Sequence, residues 1–136
     1  MAANSRLAVA LHALTVLAFH APDVVRSDDI ALSVRTNPVV IRRVLARLAR
    51  AGLVTSNRGK TGGFRLGRDP KRITAFEVYR ALEPGGLFAQ HAGRPEPSCK
   101  VSCAMKDLLG QTFQEVDRAV EQRLGRITIA ALASEV

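Results

Sequence analysis

Apolar positions recur at helical spacing along most of this chain, with one strand-like interruption. Leu7, Leu11, Leu14 and Leu17 with Ala18 share one face over residues 6–19, which predicts a helix that Pro22 closes. A shorter helix follows, with Ser27 as its expected cap, Asp28 and Asp29 in its first turn, and Ile30, Ala31 and Val34 apolar. Thr36-Asn37-Pro38 is a second start signal, a capping residue with proline at the first helical position. The third helix runs from about Pro38 to Ala51 on an inner stripe of Ile41, Val44, Leu45 and Leu48, and Gly52 stands where its end needs a left-handed residue.

The period then changes. Residues 53–57 and 64–66 read as a hairpin joined by Arg58-Gly59-Lys60-Thr61-Gly62-Gly63. Thr74 opens a helix through residue 83 with Phe76, Val78, Tyr79 and Leu82 apolar. Prolines and glycines crowd residues 84–98, which mark a linker. From about Ser102 to Gly125 a long helical pattern resumes. Leu109, Phe113, Val116, Val120, Leu124 and Ile127 step by fours and threes, close to a heptad seam. Thr128 caps a last short helix through Ala133.

Helix, short helix, tight turn, helix and hairpin is the order of a winged helix-turn-helix. The expected fold is mainly α with a small β-hairpin. A DNA-binding unit is expected over 1–83, a linker or sensor loop over 84–101, and a dimerisation helix with a C-terminal segment over 102–136.

Charge sharpens this picture. The 136 residues carry a net charge of +8. Between Arg35 and Arg72 stand eleven basic residues and one acid, Asp69, so the rest of the chain is slightly acidic. A block of this kind is the footprint of a polyanion binder. No apolar run approaches the roughly 18–20 residues that cross a bilayer, and Met1 to Arg6 lack the regions of a secretory signal. A cytoplasmic protein without a membrane partner is expected. No serine–histidine–aspartate or paired-carboxylate arrangement supports an enzyme. Gly59-Lys60-Thr61 ends like a phosphate-binding loop, but the glycine that motif needs five residues earlier is Val54.

The third helix leaves Arg43, Arg47 and Arg50 on an outer face, with Arg42 beside them. An α-helix fits the major groove of duplex DNA, where the N-terminal side chains of a recognition helix meet base edges. Asn37, Val39, Arg42 and Arg43 hold those positions. Arg47 and Arg50 lie further along, suited to phosphates. In the hairpin, Arg58 suits a narrow minor groove, and Lys60 and Arg65 suit phosphates.

Ile41 through Leu66, with the hinge Ala51-Gly52-Leu53-Val54 and the wing Arg58-Gly59 to Gly62-Gly63-Phe64-Arg65-Leu66, resembles the Rrf2 family of bacterial transcription regulators, the relatives of IscR and NsrR. The helix start at Ile73-Thr74 and the late Ile127-Thr128-Ile129-Ala130 also match, so the resemblance covers roughly residues 5–134. It implies a homodimer with a long helix crossing to the partner, bound to double-stranded DNA, mostly as a repressor. The seam from Leu109 to Ile127 agrees, because a long one-sided apolar helix lacks partner surface in one small domain. A twofold dimer presents two recognition helices about one DNA turn apart, hence a palindromic operator.

Cys99 and Cys103 are the only cysteines. Cluster-binding members of the family carry three in this region. The pair here has shorter spacing, and His91 would have to be recruited toward the four ligands a cluster usually takes. No cofactor is therefore expected, and an iron–sulfur or metal-sensing regulator is the alternative. Simple packing at the start of the long helix and thiol-redox sensing also stand open, with Lys100 and Lys106 near enough to favour the reactive thiolate. A thiol oxidoreductase is the rival from another class, but it lacks the Cys-x-x-Cys spacing.

Overall fold

The structure, a computed structural model, describes residues 5–136. Residues 1–4, the head of the expected DNA-binding unit, lie outside the described residues. The order is α1 (Arg6–His20), α2 (Ser27–Val34), α3 (Pro38–Arg50), β1 (Val54–Asn57), β2 (Gly63–Leu66), a 3-10 turn (Pro70–Arg72), α4 (Ala75–Leu82), α5 (Lys100–Leu124) and α6 (Ile129–Ser134). It is a mainly helical winged helix-turn-helix with a two-stranded antiparallel hairpin and a long C-terminal helix.

Local chemistry sets most boundaries. Asn37 caps α3 by accepting the Val39 N–H, and Pro38 takes the first turn, where its missing N–H costs nothing. Thr74 and Glu77 form a reciprocal capping box on α4. Gly52 takes φ +76° after α3, as expected of that position. One cap differs from expectation. Ser27 is the first residue of α2, the capping position falls on Arg26, and no side chain caps that end.

Helix α1 is the central element and packs against α2, α3, α4, α6 and β2. Its innermost residues are Ala10, Ala13, Leu14 and Leu17, whereas Leu7 and Leu11 are half-buried. The face is thus rotated from the leucine stripe, because small alanines let neighbouring helices approach. Ile30, Ile41, Val44, Leu45, Leu48, Leu53, Val54, Ile73, Val78 and Leu82 complete the core around it.

The hairpin is anchored on two sides. Val54 of β1 opposes Leu66 of β2. Val25, in the α1–α2 connection, bonds in both directions with Phe64 and so acts as a third strand position. Gly63 is required there, since a Cβ would lie 2.7 Å from the Val25 carbonyl oxygen.

The C-terminal segment does not follow the long helix into a separate unit. Ile129 is fully buried in the N-terminal core. The Ala75 N–H donates to the Ile127 carbonyl, and the Ile129 N–H donates to Ile73. Helix α6 then packs on α1. The expected boundary at residue 102 therefore cuts across a core that residues 127–134 help to close. The physical reason is one antiparallel bridge, Thr74 opposite Thr128, closed by these two hydrogen bonds between residues far apart in sequence.

Candidate nucleic-acid interface

All eleven basic residues between Arg35 and Arg72 are exposed. Burial of Ile41, Val44, Leu45 and Leu48 fixes the rotation of α3 and turns its other side outward. Val39, Arg42, Arg43 and Arg50 are exposed on that side. Asn37 sits at the helix start, but its Oδ1 is engaged by the Val39 N–H at 2.9 Å. Only its amide nitrogen remains to donate to a base.

Arg47 stands differently from its neighbours. Its Nη1 donates to the Leu82 carbonyl at 2.7 Å and ties α3 to the end of α4. Arg68 pairs with Glu77 at 2.8 Å. Neither tie is encoded in sequence spacing near the residues concerned.

Arg58 and Lys60 occupy the wing tip, exposed on either side of Gly59. Arg65 lies on β2 opposite Thr55 and is exposed, while its neighbours Phe64 and Leu66 pack against the core. The strand alternation thus holds Arg65 on the solvent face of the wing. Sequence reasoning missed Arg35, which holds φ +61° at the turn between α2 and α3. A left-handed non-glycine residue is uncommon. The turn signal at Thr36-Asn37-Pro38 was legible, but not that Arg35 would take this conformation.

Helix α5 runs for 25 residues without a single buried side chain. Leu109, Phe113, Val116, Val120 and Leu124 form a half-buried stripe along it, and Ile127 lies beyond its end in the return to the core. Within the chain this stripe has partners on one flank. Phe113 meets Phe88 of the linker, ring centres 5.6 Å apart, and the Leu87 N–H donates to Asp117. The flank left open carries Val101, 67% exposed, and Leu108, 53% exposed, one heptad apart. Extending the heptad count from Leu109 and Phe113 toward the start of the helix lands on Ser102 and Lys106, so the seam pattern gave no signal for this flank.

Cys99 and Cys103 are free and exposed. Cys99 is the cap of α5, its Sγ accepting the Ser102 N–H at 3.4 Å. The Cys103 thiol donates to the Glu96 carbonyl at 3.4 Å. Neither packs into the core. Ser98 donates to the Glu96 carboxylate through its hydroxyl and its backbone N–H, which holds that carboxyl below its ordinary range. Among the described residues no three His, Cys, Asp or Glu side chains come together to hold a metal ion. His91 lines the linker's open hollow and supplies no third donor. Cys99 and Cys103 thus supply two thiol donors, against the four ligands a cluster usually takes. No helix among the described residues is long and apolar enough to cross a membrane.

Residues 3–135 match the Rrf2 family, described as iron-dependent transcriptional regulators. The chain is 43% identical over 122 residues to YwnA of Bacillus subtilis (strain 168), described as an HTH-type transcriptional regulator, covering 89% of each chain. A solved structure described as a DNA-binding protein is 36% identical, with a TM-score of 0.76, covering 94% of this chain and 98% of its own. CymR (YrzC), the global cysteine regulator of B. subtilis, is 26% identical with a TM-score of 0.72, covering 100% of this chain and 98% of its own. An outward basic helix, a basic wing and a match over nearly the whole length agree: this chain belongs to the Rrf2 family and is a winged-helix DNA-binding transcriptional regulator, not an enzyme.

Proposed function

We propose that this regulator represses transcription as a homodimer on a palindromic operator, with α3 in the major groove and the wing tip in the minor groove. The observation that carries the dimer is α5, a 25-residue helix with no buried side chain and with exposed Val101 and Leu108 on its open flank. A second copy packed there covers this apolar face and sets two α3 helices about one DNA turn apart. Asn37, Val39, Arg42 and Arg43 meet base edges. Arg50, Lys60 and Arg65 meet phosphates, and Arg58 enters the minor groove. Arg47 holds Leu82 through Nη1 and has its remaining guanidinium N–H groups for a phosphate.

The proposed signal is thiol oxidation. Cys99 and Cys103 are free, exposed and on the first turn of the helix that the dimer uses. Selection of duplexes from a random pool tests the reading. The expected product is a palindrome that binds two chains, with affinity reduced by hydrogen peroxide and restored by a reducing thiol. Equal retention of RNA and unrelated duplexes would overturn sequence-specific repression. An unchanged affinity after peroxide would overturn the thiol response alone.

A further inference from the structure

We propose that α3 reads thymine methyl groups on both sides of a guanine, through Val39 and Ala46 flanking Arg43. The inference rests on the proposed reading of α3 as a duplex reader, and it names what that helix reads.

The buried stripe of α3 leaves an outer meridian opposite it. Val39, Arg43, Ala46 and Arg50 fall on that meridian at i, i+4, i+7 and i+11, and all four are exposed. Single exposed apolar residues are ordinary on a protein surface. These two are set apart by position, since they alternate with arginines along the line that faces the groove. Val39 is 41% exposed, and its backbone N–H is fixed by Asn37 at 2.9 Å. Its branched side chain is therefore held outward on a capped helix end.

The chemistry of the groove supplies the partner. Among base edges in the major groove, the thymine 5-methyl is the apolar feature, and the guanine O6 and N7 pair suits a bidentate arginine. Helix rise separates Val39 from Arg43 by about 6 Å and Arg43 from Ala46 by about 4.5 Å. Those spans correspond to at most about two base steps, so the thymines lie close to the guanine.

The test uses the full chain and the duplex it selects from a random pool. Each thymine of the half-site is replaced by deoxyuridine, which keeps pairing and loses only the methyl. The expected loss is about threefold to fivefold at a methyl next to the guanine, the size of one buried methyl group. In Val39→Ala that loss shrinks at one position while sensitivity to 7-deazaguanine persists. In Ala46→Ser it shrinks at another. Unchanged thermal unfolding of both variants shows that the fold is intact. Sensitivity to deoxyuridine that survives in both variants overturns the assignment. A selected site indifferent to every deoxyuridine also overturns it, while leaving duplex recognition standing. A protein that selects no duplex at all removes the underlying reading instead.

Discussion

Arg47 of α3 and Leu82 of α4 are joined by a hydrogen bond of 2.7 Å, from the guanidinium Nη1 to the backbone carbonyl. They stand 35 residues apart. The bond fixes the outward helix to the element that leads directly into the linker carrying Cys99. One arginine of the basic block is thereby a structural tie.

Replacing Arg47 by alanine should therefore destabilise the fold, and replacing Arg50 should not. A part-buried charged hydrogen bond is worth about 1–2 kcal/mol net, or roughly 3–6 °C in a domain of this size. Thermal unfolding of Arg47→Ala and Arg50→Ala decides between them. DNA titrations should show the converse, with Arg50→Ala lowering the slope of log affinity against log salt by about one. A smaller stability loss for Arg47→Ala than for Arg50→Ala counts against the tie.

The wing makes a separate prediction. Arg58 is exposed at the tip and stands outside the buried core. Arg58→Ala should weaken duplex binding by about tenfold or more, in keeping with the 1–3 kcal/mol typical of a good arginine contact, and leave unfolding unchanged. Unaltered affinity removes Arg58 from the interface. For the native protein, affinity should fall steeply with salt, and a flat response counts against the whole basic block as the contact surface.

Sedimentation tests the α5 face. The chain of 14.7 kDa should sediment at twice that mass. Val116→Glu and Leu108→Glu should each shift it toward the single-chain mass, because a carboxylate on an apolar seam loses its hydration. A native protein sedimenting at single-chain mass rejects the dimer.

Tyr79 is the sole tyrosine and the chain has no tryptophan, so absorbance near 295 nm follows one phenol. Burial, and then the negative charges of Asp117 and Glu83, raise its pKa above the ordinary value of 10.0. The folded state thus holds this proton more tightly than the unfolded chain. The stabilisation is fully present below about pH 10 and is lost as pH rises through the folded value. The folded protein should titrate above the urea-unfolded one, and Asp117→Asn should bring the two closer. Coincident curves refute this environment.

Much of the architecture was legible because its causes are local. Asn37 with Pro38, Thr74 with Glu77, and Gly52 after the stripe of Ile41, Val44, Leu45 and Leu48 act within a few residues of themselves. Burial of that stripe also decides which arginines face outward, so the exposed face of α3 followed from periodicity. What the tertiary structure alone decided depends on partners distant in the chain. The Arg47 guanidinium went to Leu82, residues 127–129 bridged back to Ile73 and Ala75, and Val25 paired with Phe64. No spacing announces such contacts, since each arises only when the core brings two remote backbone segments within hydrogen-bonding distance.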